Sequence, residues 1–325
     1  MMKMTMCAWA GALAALAVLA VARPASAATI AWVSFHAADG TPSAASVTAG
    51  FTQAPDVGYT QLLASNGHTV NRVVTVNPGA APPQAFRDAL NASDLVIVSR
   101  SVPSGHYGDP AAEQAAEREF WNGLTGIARP VMFLGGYGVR ANRLGLMATS
   151  DIPDTYAAPG GVAPVKTAVT LNAAAPAHPI FAGVALDGAN NVNFASTVST
   201  PAGVTATGNP QLGISVVTGA LAGGGVSLAT VADADNATAI GGTLIGLWNP
   251  GSMVGGVTLA SPRMTFLTGT RERGLTSEGS GIYDLTPAGS QLFLNAVNFM
   301  AIPEPSTAAL SLVAVVGLVQ LRRKR

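Results

Sequence analysis

The feature that most constrains the fold is an alternation of short apolar runs and helix-like stretches between Thr29 and about Gly145. The run Asp94–Ser99 is continuously apolar at its centre, which is typical of a strand buried on both faces of a parallel sheet. Four strand and helix alternations in about 110 residues predict an α/β fold with a doubly wound, mostly parallel (flavodoxin-like) sheet. The predicted strands are 29–35, 68–76, 94–99 and 130–134; the predicted helices are 58–66, 82–92 and 111–124, the last with Glu113, Glu117 and Glu119 facing outward.

The pattern changes after Asp151. Between about 160 and 260 the chain consists mostly of strand-like pieces joined by Gly and Asn turns, with almost no helical periodicity. It then returns to the earlier style with a strand near 263–268 and an amphipathic helix over Thr286–Met300. The sequence therefore predicts one α/β domain over 28–300 with a β-rich segment, about 160–260, that forms an inserted or appended β-layer.

The amino terminus has the features of a secretory signal peptide over residues 1–27. Lys3 supplies a positive start, Ala8–Val21 is apolar, and small residues flank a predicted cleavage point after Ala27, with Ala25 at the other recognition position. Signal peptidase and the export machinery are the partners that this pattern implies. The one cysteine, Cys7, would be removed, so the mature chain would have neither a disulfide nor a cysteine nucleophile.

The carboxyl terminus, 301–325, combines a polar tripeptide, an apolar stretch over 307–321 and a basic end. About 15 apolar residues give a helix of about 22 Å, short for a hydrocarbon core of about 30 Å but tolerable with local thinning, so a transmembrane helix is predicted. Its cations would stay cytoplasmic, with the globular part on the other side. A plain tail anchor would share the helix and the basic end but would not require the tripeptide. The residues concerned are Pro303, Glu304, Pro305, Arg322, Arg323, Lys324 and Arg325.

This order of segments resembles the PEP-CTERM sorting signal that exosortases recognise and cut in Gram-negative bacteria. The resemblance implies an exosortase as partner and a chain that is anchored transiently in the inner membrane through 307–321. It also implies a final location at the cell envelope surface or outside the cell, in the exopolysaccharide that usually accompanies this system.

Charge excludes some functions. The whole chain has 17 basic and 17 acidic residues, but without its two termini it retains 11 basic and 16 acidic residues, a net of −5. An anionic body without a basic stripe argues against nucleic acid and against adhesion to anionic lipid.

The core resembles a second family. The opening Ile30-Ala-Trp-Val-Ser-Phe35, the segment His178-Pro-Ile-Phe-Ala-Gly183 and the closing Leu285-Thr-Pro-Ala-Gly289 are similar to the class I glutamine amidotransferase-like superfamily, nearest its ThuA-like members. In that superfamily the nucleophile lies on a Gly-x-Cys-x-Gly elbow, which corresponds here to Gly135-Gly-Tyr-Gly-Val139. Tyr137 takes the nucleophile's place, and a phenol with a reference pKa near 10 is a poor nucleophile. No catalytic residue is therefore predicted, and the chain is expected not to be an enzyme.

Polar clusters follow the predicted strands, and ligands of open α/β sheets bind beyond the carboxyl ends of the strands. An alternative is that these are ordinary polar loops. The spacing His-x-x-Asp occurs twice, at His36 and His106, but two short coincidences among four histidines do not predict a metal site, and no cofactor is predicted. The candidate ligand-binding residues are His36, Asp39, His106, Tyr137, Arg140 and Arg271.

Two functions are compatible with these patterns. The favoured one is an exported, exosortase-processed surface or matrix protein that is non-catalytic and associates with exopolysaccharide. The alternative is an extracytoplasmic carbohydrate-active enzyme whose acid or base is His106, Asp109 or Glu272 at the carboxyl ends of the strands. Glycoside hydrolysis would require a pair of neighbouring carboxylates, and the sequence offers no convincing pair.

Overall fold

The structure is a computed structural model that describes residues 27–48, 50–79, 81–156, 166–196, 213–271 and 279–301. Its centre is a mixed sheet that has nine strands within these ranges, in the order β2-β1-β3-β4-β11-β8-β7-β5-β6. The strands of this sheet are β1 Thr29–Ser34, β2 Thr69–Val74, β3 Leu95–Val98, β4 Val131–Phe133, β5 Ala168–Ala173, β6 Asn191–Ser196, β7 Val226–Asp233, β8 Thr243–Trp248 and β11 Arg263–Phe266.

Two short hairpins, six α-helices and three 3₁₀ helices (Ser104–His106, Pro179–Phe181 and Ala237–Ala239) complete the elements of the described chain. One hairpin joins β9 Met253–Val254 to β10 Val257–Thr258, and the other joins β12 Thr270–Arg271 to β13 Ser280–Ile282. The helices are α1 Ala44–Thr48, α2 Val57–Ser65, α3 Gln84–Asn91, α4 Gln114–Asn122, α5 Gly136–Val139 and α6 Pro287–Ala301.

The mixed α/β class agrees with the sequence analysis. Strands β2, β1, β3, β4 and β11 run parallel to one another, and the pairing becomes antiparallel from β11 to β8 and onward to β6. The strands of the predicted β-rich segment thus continue the same sheet rather than forming a second layer. The parallel ladders keep a constant register, whereas the antiparallel ones are interrupted by irregularities near Thr170 and Ala229.

Local sequence explains the parallel elements. All four residues of β3 are buried, as expected of an apolar strand in the middle of a parallel sheet. Helix α2 stops where Gly67 takes a φ of +87°, a conformation that costs glycine little because it has no Cβ. The helix α6 packs against β3, β6 and the turn Pro179–Phe181.

Arg263 lies in β11, where parallel and antiparallel pairing meet, and is completely buried. It donates hydrogen bonds to the carbonyl oxygens of Trp121 (3.1 Å), Ile127 (2.9 Å) and Arg129 (3.1 Å). Burial lowers its pKa to about 9, so the side chain remains protonated at neutral pH. Arg263 therefore links the backbone of the segment between α4 and β4 to the central strand β11 by hydrogen bonds.

One prediction about helix α4 is wrong. Glu117, predicted to face outward from the helix over 111–124, is completely buried. Its carboxylate accepts hydrogen bonds from the backbone N–H groups of Gly79 (3.1 Å) and Gly108. These amides satisfy the carboxylate inside the protein, a partnership between distant loops that helical periodicity does not reveal.

Candidate functional site

Polar residues crowd the carboxyl ends of the parallel strands. Because parallel strands end at the same edge, the residues that follow them come together in space, and this edge is where ligands of open α/β sheets bind. The residues concerned are His36 after β1, Thr75 after β2, Ser99, Arg100 and Ser101 after β3, Gly135 to Tyr137 after β4, and Thr268 to Thr270 after β11.

Asp56, the residue before α2, is the centre of one buried group at this edge. Its Oδ2 accepts hydrogen bonds from Trp32 Nε1 (2.9 Å), Ser34 Oγ (2.7 Å) and Ser99 Oγ (2.8 Å). Its Oδ1 lies 2.9 Å from Nη2 of Arg72. We call Asp56 with these four partners the Asp56 cluster.

The charge of Arg72 decides the ionisation of Asp56. Burial alone would raise the pKa of this carboxyl, but the charge of Arg72 and the hydrogen bonds from Arg72, Ser34 and Trp32 outweigh burial and hold the pKa below its usual value. Arg72 is shared with the more exposed Asp39, whose Oδ1 accepts a hydrogen bond from Nε at 2.7 Å. The Asp56 cluster is therefore ionised, with three hydrogen bonds at Oδ2 and the guanidinium of Arg72 beside Oδ1, while Nη1 of Arg72 has no hydrogen-bond partner in the described chain.

The hairpin β12–β13 closes over the Asp56 cluster. At Gly281, which has a φ of +89°, a Cβ would lie 3.1 Å from Ser99 Oγ and 3.3 Å from the Cβ of Asp56. The three residues of β13 are buried. The crevice between β1 and β3, where the chain reverses its direction across the sheet and where such folds hold ligands, is thus occupied by the protein itself.

Asp284 is the centre of a second buried group. Its Oδ1 accepts hydrogen bonds from Tyr59 Oη (2.7 Å), Thr268 Oγ1 (2.8 Å) and the N–H of Gly269 (3.1 Å), whereas its buried Oδ2 has no hydrogen-bond partner among the described residues. Burial raises the pKa of Asp284 and outweighs these hydrogen bonds and the more distant charge of Arg100. We call Asp284 with these three partners the Asp284 cluster.

Arg100 fills the space between the strands and the segment that begins at Gly213. It donates to the carbonyl oxygens of Gly213 and Gly269 (2.5 Å for the latter) and to Ser215 Oγ (2.6 Å), and it lies 3.3 Å from Asp154. Its side chain is only 3% exposed. Arg100 therefore holds backbone segments together and is not presented to a ligand.

The elbow after β4 is more accessible. Gly135 and Gly136 lead into the four-residue helix α5, and Tyr137 is half-buried. The guanidinium of Arg140 lies 5.5 Å from the centroid of the Tyr137 ring, and its Nε donates to the Tyr137 carbonyl oxygen at 2.9 Å. The two Nη groups of Arg140 make no hydrogen bond within the described ranges. Burial and then the charge of Arg143 lower the pKa of Arg140.

His106 and Asp109 belong to the loop that lies against this elbow. The turn Ser104–His106 contacts α5, and a Cβ at Gly138 would lie 2.7 Å from the ring of Tyr107. Asp109 Oδ2 pairs with Arg143 Nη2 at 2.8 Å. We call Tyr137, Arg140, Arg143, Asp109 and His106 the elbow surface.

His106 is held by its neighbours. Its Nδ1 lies 2.8 Å from Thr75 Oγ1, and its carbonyl oxygen accepts a hydrogen bond from Trp121 Nε1 at 3.0 Å. Partial burial lowers its pKa, so the ring is neutral over most of the physiological range. A neutral imidazole with a fixed ring nitrogen can exchange hydrogen bonds with a hydroxyl group of a ligand.

The predicted candidates thus separate into different places. His106, Tyr137 and Arg140 meet at the elbow surface, whereas His36 and Asp39 lie near the Asp56 cluster. His36 is buried and its Nδ1 accepts a hydrogen bond from Ser43 N at 3.2 Å. Arg271 pairs through its backbone with Ser280, and Glu272 lies outside the described residues.

Sequence analysis did not identify the two buried aspartates. Asp56 could be noticed only as a possible residue before a helix, and Asp284 follows an undistinguished strand. In the part of the chain that the structure describes, no three His, Cys, Asp or Glu side chains are grouped so that they could hold a metal ion.

Comparison with known proteins adds little to this geometry. No family model matches the chain, and no curated protein matches it. Among solved structures, the chain is similar to Cytoplasmic Protein STM3548 from Salmonella typhimurium at a TM-score of 0.40 and 11% identity, over 83% of this chain and 98% of the other. A likeness of this degree supports no inference about function.

The predictions of a transmembrane helix and of an exported location at the cell envelope or outside the cell are corrected here. No helix of the described ranges is long and apolar enough to cross a membrane. The physical weakness of the prediction was length, since about 15 apolar residues span about 22 Å of a core of about 30 Å. The segments that suggested it, 1–26 and 302–325, lie outside the described residues, and their resemblance to sorting signals stays a prediction.

Proposed function

We propose that this chain is a non-catalytic binding protein and that an acidic polysaccharide binds at its elbow surface. The observation that carries the proposal is the position of Arg140 over the ring of Tyr137, at 5.5 Å, with both Nη groups available within the described residues. Both side chains follow β4 at the edge where the parallel strands end, outside the crevice between β1 and β3 that the hairpin occupies.

The chemistry of the elbow surface suits a sugar acid. A guanidinium recognises a carboxylate through two parallel hydrogen bonds, and Arg143 adds positive charge beside Arg140. The half-buried ring of Tyr137 offers an apolar face on which a sugar ring can pack. Asp109 and His106 can exchange hydrogen bonds with sugar hydroxyl groups at the rim.

Binding is favoured over catalysis by the residue at the elbow. In the superfamily that the sequence resembles, this position holds the cysteine nucleophile, and here it is Tyr137. The acid or base candidates of the elbow surface also have partners, since Asp109 pairs with Arg143 and His106 contacts Thr75. These contacts favour a fixed binding surface over a reaction centre.

We also propose that the parallel half of the sheet is doubly wound and flavodoxin-like and that the resemblance to the class I glutamine amidotransferase-like superfamily reflects common ancestry. The order β2-β1-β3-β4-β11, with all five strands parallel, supports this proposal because flavodoxin-like sheets have the order 2-1-3-4-5. The glycine elbow after the fourth strand supports it further.

The test is binding of the purified full chain to an array of acidic and neutral polysaccharides. We expect binding to acidic members, and a loss of about tenfold or more in Arg140→Ala, since one guanidinium–carboxylate contact is worth about 1.5–3 kcal/mol. Arg140→Lys should recover only part of the affinity because an ammonium cannot make the bidentate contact.

Arg87→Ala is the matched control. Arg87 also lies over an aromatic ring, 5.8 Å from the centroid of Phe120, but it belongs to α3 and not to the elbow surface. Its variant should bind within about twofold of the parent. Equal losses in both variants, or no binding to any acidic polysaccharide, would refute the proposal. Shortened glycan products in the mass spectrum would instead support the enzyme alternative.

A further inference from the structure

The two outer strands of the central sheet differ in how far their free backbone edge is covered by the rest of the described chain. The free side of β6 is partly covered by the chain that leads into α6: Ala195 forms a bridge with Leu285, and Ser196 N donates to Asp284 O at 2.8 Å. Thr286 N donates to Phe194 O at 3.0 Å. The other outer strand is β2, which pairs with β1 on one side.

The outer side of β2 carries backbone groups without partners in the described chain. Thr69 and Thr75 donate to Ala28 and Ser34, so alternation along the strand points the N–H and C=O groups of Val70, Arg72 and Val74 away from β1. None of these groups makes a hydrogen bond within the described ranges. Val74 is 47% exposed.

Strand β2 lacks the sequence features that usually prevent an outer strand from pairing with another chain. Such strands are commonly blocked by proline, by a bulge or by an outward lysine. The strand has the sequence Thr-Val-Asn-Arg-Val-Val and keeps a constant register with β1. Its single charged side chain, Arg72, turns inward to Asp39 and Asp56 and is 7% exposed.

We propose that β2 pairs with β2 of a second copy of this chain, antiparallel, about a twofold axis that passes through Arg72. In that register Val70 of each copy lies opposite Val74 of the other, and Arg72 lies opposite Arg72. About six backbone hydrogen bonds then satisfy the outward groups of both strands. The contact is isologous, so it closes as a dimer and does not propagate.

The side chains of β2 suit a second copy as the occupant, since Val70 of each strand meets Val74 of the other. Two arginines opposite one another would repel if they projected into the interface, but each Arg72 turns into its own protomer, where it pairs with Asp39 at 2.7 Å and Asp56 at 2.9 Å. The strand therefore presents apolar and neutral polar side chains to β2 of the second copy. The central sheet would become continuous through the dimer.

The test is the concentration dependence of the molar mass of the full chain, measured by sedimentation equilibrium between about 1 and 100 μM, a range that brackets a modest interface. We expect a monomer–dimer equilibrium. Val74→Pro should shift the dissociation constant upward by about tenfold or more, because proline lacks the outward N–H while the N–H groups that bond β1 stay in place. Val74→Lys should act similarly by placing a charged side chain opposite Val70 of the other copy.

Val226→Lys is the matched control, since Val226 is a similarly exposed strand valine, at 52%, in β7. This variant should dimerise as the parent does, and circular dichroism should show that all three variants are folded. A chain that stays monomeric throughout the concentration range would overturn the proposal. A dimer that Val74→Pro and Val74→Lys leave unchanged would also overturn it, because another surface would then hold the copies together.

Discussion

The Asp56 and Asp284 clusters lie at the same edge of the sheet and differ in one respect. Each aspartate is buried, and in each a single carboxylate oxygen accepts three hydrogen bonds of 3.1 Å or less. In the described chain the other oxygen of each aspartate lacks a hydrogen bond of good geometry, but that of Asp56 lies 2.9 Å from the charged Nη2 of Arg72, whereas Asp284 forms no ion pair there. The pKa of Asp56 is lowered and the pKa of Asp284 is raised.

The difference shows that hydrogen bonds alone do not keep a buried carboxyl ionised. Each carboxylate accepts at least three hydrogen bonds, and burial opposes the charge in both. A cation in contact with the carboxylate reverses the balance, because the attraction between opposite charges is strong where water is excluded. The two clusters are also neighbours, since Trp32 of the first stacks on Tyr59 of the second at 5.9 Å.

The largest effect is expected for Asp56→Asn. The change removes the charge that Arg72 faces inside the protein, and breaking a buried ion pair typically costs about 3–5 kcal/mol. We expect a loss of about 3 kcal/mol in the free energy of unfolding at pH 7, measured by urea denaturation of the full chain, because Asp39 continues to pair with Arg72.

Asp39→Asn is the control for this substitution. Asp39 contacts the same arginine, but its side chain is 43% exposed, so its loss should cost no more than about 1 kcal/mol. The stability advantage of the parent over Asp56→Asn should be complete above pH 3.8 and should disappear as the pH falls through the lower folded pKa of Asp56. Equal costs for the two variants would show that burial of the ion pair is unimportant.

A smaller effect is expected for Gly281→Ala, which tests whether the hairpin β12–β13 rests on the Asp56 cluster. The added Cβ would meet Ser99 Oγ at 3.1 Å and Asp56 Cβ at 3.3 Å, and φ is +89°. We expect a loss of about 2 kcal/mol in the free energy of unfolding, from backbone strain and crowding together.

Gly256→Ala separates these two contributions. Gly256 has a φ of +87°, but a Cβ there would meet no atom within 4 Å, so only the backbone cost of about 1 kcal/mol remains. If urea denaturation gave both alanine variants the same stability, contact between the hairpin and the cluster would carry no energy, and the comparison of the clusters would lose one of its structural supports.

The smallest effect, of opposite sign with pH, is expected for Asp284→Asn. The raised pKa means that the folded state holds its proton more tightly than the unfolded chain, so the parent loses stability as pH rises from about 3.8 through the folded pKa. The amide does not ionise, so stability should change in favour of the variant over that window, whereas the cost of an Asn N–H without a partner is the same at every pH. A pH series of urea denaturation curves for both aspartate variants measures this. Parallel curves would contradict the assigned difference between the clusters.

Much of the fold could be predicted from local pattern. The apolar run that became β3 and the glycine that ends α2 depend on neighbouring residues alone, since burial on both faces and a positive φ leave direct marks in the sequence. The strands of the β-rich segment were also visible. Their membership of the same sheet was not, because strand pairing joins residues far apart in the chain and periodicity carries no information about partners.

The candidate site was predicted only in part. His106, Tyr137 and Arg140 were found because they follow predicted strands, and the ends of parallel strands share an edge. The role of Glu117 was missed because its helix pattern placed it outside, while two glycine amides from distant loops satisfy it inside.

The sequence by itself determined the alternating α/β order of the first half, its strand ends and the glycine elbow with Tyr137 after β4, because each depends on residue type and short-range periodicity. The tertiary structure alone decided that Asp56 meets Arg72, that Tyr59 meets Asp284 across 225 positions of sequence, and that the usual ligand crevice is filled by a hairpin. The physical reason is that the ionisation of a buried group depends on which charges and donors surround it in space, and only folding sets those distances.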